Sequence, residues 1–98
     1  MIDGELQIVN RLGLHARAAA RLVNLLKGFQ AEVWLYRAND PSRVDARSII
    51  CLIGLCATCG TRLCYSISGP DEDETRHALQ ALFDSGFGES AHDLNPVR

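Results

Sequence analysis

The spacing of hydrophobic and polar positions changes several times along the chain, and each change predicts an element. "ELQIV" alternates, with Leu6 and Ile8 on one face, so residues 5–9 read as a first strand. "NRLGLH" breaks the alternation and reads as a loop. From Ala16 to Lys27 the period becomes helical. Ala19, Leu22, Val23 and Leu26 share one face, and Arg17, Arg21 and Asn24 lie opposite. Gly28 stops this helix. "AEVWLYR" predicts a second strand, with Val33 and Leu35 inward and Trp34 and Tyr36 outward. After the turn "NDPS", the segment "RVDA" makes a short return strand. Ser48 caps a short apolar helix, "IICLIGL". "TRLCYSIS" alternates again, with Leu63, Tyr65 and Ile67 on one face. Gly69-Pro70 is a turn. Asp71 and Glu74 stand in capping-box spacing before a last helix, whose inner stripe is Thr75, Ala78, Leu79, Leu82 and Phe83. Gly86 ends that helix.

The order is therefore β-α-β-β-α-β-α. It predicts an α+β fold: one four-stranded antiparallel sheet with three helices on one face. The other face would carry Trp34, Tyr36 and Cys64, partly exposed. The chain shows no repeat and no linker. Residues 1–98 are expected to form one domain, with an ordered core over about 5–87. The tail 88–98 has little to bury and reads as mobile.

Composition narrows the function. Hydrophobic residues are 47% of the chain, enough for a packed core. The net charge of −2 argues against nonspecific nucleic-acid binding. No apolar run has membrane-spanning length, and the acidic third residue does not suit a signal peptide. A cytoplasmic protein is the expectation. The charge is uneven: no acid lies between Glu5 and Glu32, while Arg11, Arg17, Arg21 and Lys27 all do. Such a segment suits a small anion or an acidic partner surface, or else a solvated helix face.

His15 stands where that basic segment turns helical. The first turn of a helix carries unpaired N–H groups and the positive end of the dipole. A histidine just before it holds a ring nitrogen over those donors. A phosphoryl group on the ring would meet the backbone of Ala16 and Arg17, and the Arg17 guanidinium would add a charge-assisted contact. Gly13 lets the backbone turn closely there. Spacing alone leaves open a surface histidine with no role.

"GLHARAAA" before a helix, then "DARSIICLIGL", then a glycine and an alternating strand, resembles the histidine-containing phosphocarrier (HPr) family of the phosphoenolpyruvate-dependent phosphotransferase system. The resemblance runs from about Leu6 to Gly86. "NRLGLHAR" and "ALFDSGF" look most like its nitrogen-related branch (NPr). The resemblance implies an open-faced β-sandwich. It implies that His15 is phosphorylated on Nδ1 and that Arg17 steadies the phosphoryl group. It implies enzyme I as donor and an enzyme IIA protein as acceptor. It places Leu14, Ala18, Leu25, Ile50 and Ile53 around His15, so that Leu14, Arg21, Ile50 and Ile53 form a docking surface for partners. The family motif reads His-Ala-Arg-Pro, and Ala18 stands in the proline position. Proline lacks an N–H, so alanine there adds a possible phosphate donor and softens the helix start.

Other candidates point elsewhere. Cys51, Cys56, Cys59 and Cys64 contain a Cys-x-x-Cys pair, which suits zinc or redox chemistry. Cys51 falls in the short helix and Cys64 points outward from a strand, which argues against a shared site. Free thiols are the better reading, with no metal and no cofactor. Ser48 matches a serine that a kinase modifies in the sugar-transport branch, and a phosphate there would suit the helix start and Arg47. His77 reads as a solvated residue on the last helix, and His92 lies in the tail. The leading expectation is a monomeric phosphoryl relay without a small-molecule pocket, and with no nucleic acid or membrane as partner. The alternatives are a regulatory binding module switched by phosphorylation of His15 or Ser48, and a sugar-branch HPr.

Overall fold

The computed structural model describes residues 1–40 and 42–89. Among them the chain forms β1 (Ile2–Gln7), α1 (Ala16–Leu26), β2 (Glu32–Tyr36), β3 (Val44–Asp45), α2 (Ile49–Gly54), β4 (Arg62–Ser68) and α3 (Glu72–Asp84). This is the predicted order. The strands make one antiparallel sheet in the order β1-β4-β2-β3. The helices cover one of its faces, as the hydrophobic pattern requires. The core lies between them. Leu22 and Leu26 of α1, Leu52 of α2, and Leu79 and Phe83 of α3 meet Leu6, Val33, Leu35, Leu63 and Ile67 of the sheet, all buried. Each such side chain contributes roughly 1.5–3 kcal/mol by leaving water.

The first strand begins earlier than the alternation indicates. It pairs with β4 from Ile2 opposite Ile67 to Gln7 opposite Arg62. Gly4 conceals this start, because it stands on the helix-facing side without a side chain. Tyr65, its partner on β4, fills the space: a Cβ at Gly4 would lie 2.4 Å from the Tyr65 hydroxyl. Ile8 stays buried after the strand ends, and its N–H reaches the Thr61 carbonyl at 2.9 Å.

Two helix ends also differ from expectation. The capping box at Asp71 does not form. The Asp71 carboxylate caps no first-turn N–H of the helix it precedes; it accepts from the N–H groups of Gln30 at 2.8 Å and Ala31 at 2.9 Å. It thereby fastens the entry to β2 onto the start of α3. At the other end of α1, the Arg47 guanidinium donates to the carbonyls of Leu26, Phe29 and Ala31 at 2.7, 3.0 and 2.8 Å. It thereby joins the last residue of α1 to the segment that leads into β2, a fastening of the helix end that the sequence did not indicate. Residues 90–98, with His92 and most of the expected tail, lie outside the described residues.

The Asp71 bonds carry a pH dependence. The Gln30 N–H, with that of Ala31, holds the Asp71 carboxyl below its ordinary value of 3.8. A depressed folded-state pKa contributes stability above the unfolded value, and that contribution is lost as pH falls through the folded value. Asp71→Asn should therefore unfold at lower urea concentration than the parent at pH 7. The gap should narrow as pH falls below about 4. Urea midpoints at the two pH values check this, and a gap unchanged at pH 3 would contradict it.

Candidate functional site

The site is built at the mouth of α1, starting from a turn that is fastened from both sides. Gly13 adopts φ +71, and a Cβ there would lie 2.6 Å from the Ala57 carbonyl oxygen. Only glycine fits that approach. The Gly13 N–H reaches the Asn10 carbonyl at 3.1 Å, and Asn10 Nδ2 returns a bond to the Gly13 carbonyl at 2.7 Å. The next N–H, from Leu14, donates to the Ala57 carbonyl at 2.9 Å. With Leu14 turned into the core, the following residue faces outward.

That residue is His15, the N-cap of α1, in extended conformation with φ −84 and ψ −178. Caps are usually Ser, Thr, Asp or Asn, whose oxygens accept a first-turn N–H. Here the imidazole does so: Nδ1 accepts from the Arg17 N–H at 3.2 Å. The His15 carbonyl accepts from Ala19 at 2.8 Å, which begins the helical ladder. The N–H groups of Ala16 and Ala18 have no acceptor among the described residues. Nδ1 thus presents its lone pair over a set of backbone donors, and the positive end of α1 adds to them. The first turn holds no acid to offset that field.

The expected site residues divide into three groups. Ala16 and Arg17 are exposed beside His15. Leu14 and Ala18 are corrected as surface residues. They are 4% and 0% exposed, so their side chains belong to the core and offer partners nothing. For Ala18 only the backbone N–H remains available. Arg21 is half-buried, and its guanidinium donates to the Phe87 carbonyl, so it is not a free docking cation. Ile50 stands out from α2 at 83% exposure and Ile53 beside it is exposed too. Ile49 on the same helix and Leu12 in the loop before α1 are exposed apolar residues too, and were not singled out in the sequence. Ser48 caps α2 by accepting the Cys51 N–H at 3.3 Å. Cys51, Cys56 and Cys59 are exposed and Cys64 half-buried, all as free thiols. Among the described residues no group of His, Cys, Asp or Glu is placed to hold a metal ion.

Two residues at the site escaped the sequence reading. Glu89 places Oε2 2.5 Å from His15 Nε2, with its own side chain only 1% exposed. Asn10 Nδ2 lies 3.3 Å from the other oxygen of Glu89. Glu89 falls in the stretch expected to be a mobile tail, and its side chain packs against the site. Gly86 marked the end of α3 in the sequence, but no local signal showed that the chain beyond it returns to His15.

Comparison with known proteins finds likeness along nearly the whole chain. A family profile described as "PTS HPr component phosphorylation site" matches residues 2–85. The phosphocarrier protein NPr of Escherichia coli (strain K12) is 42% identical over 85% of this chain and 91% of its own length. The phosphocarrier protein HPr of Cupriavidus necator is 40% identical over 91% of this chain and 98% of its own. Among solved structures, HPr-C-His from Thermoanaerobacter tengcongensis superposes with a TM-score of 0.83 at 36% identity. It covers 92% of this chain and 99% of that one.

The fastened turn predicts an asymmetric response to small changes. Gly13→Ala places a Cβ against backbone at left-handed φ, so it should cost about 2 kcal/mol or more. It should also shift the His15 ring resonances, because the turn aims that residue. Denaturant unfolding and NMR of the variant check both. A variant as stable as the parent would show that the Gly13–Ala57 approach is not a constraint.

Proposed function

The chain belongs to the HPr family of phosphotransferase-system phosphocarriers, and we propose that it carries the phosphoryl group on His15 Nδ1. The observation that carries this reading is the ring at the mouth of α1, its Nδ1 lone pair aimed over first-turn N–H donors. In the transfer, that lone pair attacks the phosphorus of a phosphorylated donor. An N–P bond forms, and the donor's bond to phosphorus breaks with its electron pair left on the donor. The Arg17 N–H then exchanges Nδ1 for a phosphoryl oxygen. The N–H groups of Ala16 and Ala18 and the Arg17 guanidinium supply further donors to the moving charge.

The donor in this reading is enzyme I and the acceptor an enzyme IIA protein. The likeness to NPr favours a nitrogen-related circuit in the cytoplasm. Ile50, Ile53 and Leu12 form the apolar part of the docking surface, and the chain acts as a monomer without cofactor. Ser48 remains open to a kinase as a regulatory site, although it already caps α2.

The direct test is incubation with phosphoenolpyruvate and enzyme I. One acid-labile phosphate should appear per chain, and His15→Ala should abolish it. Label that survives His15→Ala, or that sits on serine, would sink the reading.

A second comparison separates transfer from docking. Arg17→Ala should slow transfer even at saturating partner, because a charge-assisted contact to phosphoryl is worth roughly 1.5–3 kcal/mol. Its stability should stay within about 0.5 kcal/mol of the parent, as for other exposed positions. Ile50→Ser should mainly raise the partner concentration needed. If full rate returns for both variants at high partner concentration, Arg17 is only a docking residue.

A further inference from the structure

We propose that Glu89 is a positioning residue for the transfer: it sets the tautomer of His15 and balances the charge that the ring acquires. This rests on the phosphocarrier reading and adds a residue to it.

The argument starts from the two ring nitrogens. Nδ1 accepts from the Arg17 N–H at 3.2 Å, so in the neutral ring Nδ1 bears no proton. The proton then resides on Nε2, 2.5 Å from Glu89 Oε2, and donates to it. A neutral imidazole free of partners interconverts between two tautomers, and only one leaves the Nδ1 lone pair open to phosphorus. The second partner of the ring selects that tautomer. When Nδ1 takes the phosphoryl group, no proton leaves: N–P forms at one nitrogen and N–H stays at the other. The ring becomes a cation. Its positive charge then lies against the Glu89 carboxylate, as in a histidine backed by a buried acid.

The chain around Glu89 is shaped to hold it there. Phe87 has φ 59, a left-handed conformation for an aromatic residue, and is fully buried. Gly86 and Gly88 on either side have φ 65 and 72. Such a run persists only where its surroundings impose it. The Phe87 ring packs on Phe83 with centroids 4.7 Å apart, and its carbonyl accepts from the Arg21 guanidinium. The Phe87 N–H closes back on the Leu82 carbonyl at 2.9 Å. These contacts direct the next side chain toward α1, where Asn10 Nδ2 takes the second carboxylate oxygen at 3.3 Å. Asn10 is itself buried, and its amide is oriented with Nδ2 rather than Oδ1 toward Glu89.

The test combines ring nitrogen-15 shifts of the unphosphorylated chain with the rate of phosphoryl uptake from phosphorylated enzyme I. In the parent, the shifts should report the Nε2–H tautomer. Glu89→Ala should move them toward a mixture. Glu89→Gln, whose carbonyl oxygen still accepts from Nε2–H, should keep the parent tautomer but lose the charge. Both variants should take up phosphoryl about tenfold more slowly, the size expected for one charge-assisted bond. Unchanged ring shifts in Glu89→Ala, or a parental rate in Glu89→Gln, would overturn the proposal. Failure of the parent itself to be labelled on His15 would count against the carrier reading instead. In that case the ring shifts of Glu89→Ala still decide whether Glu89 positions the ring.

Discussion

Leu14 donates its N–H to the Ala57 carbonyl at 2.9 Å while Gly13 lies flat against the same peptide. These two residues join the loop after β1 to the loop after α2, and the site depends on that junction. It places Leu14 under the surface, which leaves His15 at the helix mouth with its ring outward. It also fixes the direction in which α1 departs, because the His15 carbonyl must accept from Ala19. A side chain at residue 13 would push the two loops apart, and every later atom of the site would move with them. The junction therefore converts a packing requirement into a chemical one: core burial of one leucine aims the next residue.

A second fastening comes from the far end of the chain. Arg21 on α1 holds the Phe87 carbonyl, and Phe87 fills space beside Phe83. The helix that bears the site thus also holds the segment that delivers Glu89. This explains why Arg21, on the polar side of a helical wheel, is half-buried rather than free. Its charge supports the geometry of the turn after α3. A cation that looks available in sequence is already engaged by backbone in the folded chain.

Much of this was legible in the sequence because it is local. The alternation of Leu63, Tyr65 and Ile67 and the helical stripe of Leu22 and Leu26 each follow from a period of a few residues. His15 at a helix start is local as well. What the sequence concealed depends on contacts between distant residues. Gly4 hid the start of β1, since its place on the helix side is filled by Tyr65 from another strand. Asp71 looked like a cap, yet two N–H groups of the loop before β2 claim its carboxylate. The resemblance places Leu14 on the docking surface, yet its N–H bonds to Ala57 and its side chain is buried. Glu89 meets His15 across 74 residues of chain, and no short-range pattern announces such a pair.

The arrangement has a charge logic that suits a group handed on rather than kept. On one side of the His15 ring stand first-turn N–H groups, which favour negative charge, and Arg17 in the same turn is exposed. On the other stands a buried carboxylate, which favours a positive ring. A phosphorylated imidazole carries both charges at once, negative on the phosphoryl oxygens and positive across the ring. The two sides therefore stabilise opposite ends of the same species. Neither side would enclose a phosphoryl group on the ring: Arg17 is exposed, and the His15 side chain is 25% exposed. In the proposed carrier, phosphorus on His15 would remain open to attack from the opposite face. An enclosing pocket would add donors and bury them, which would deepen the well in which the group sits and slow its departure. On the proposed reading, a shallow site between a helix start and a single acid would hold the group while leaving that face to the next protein.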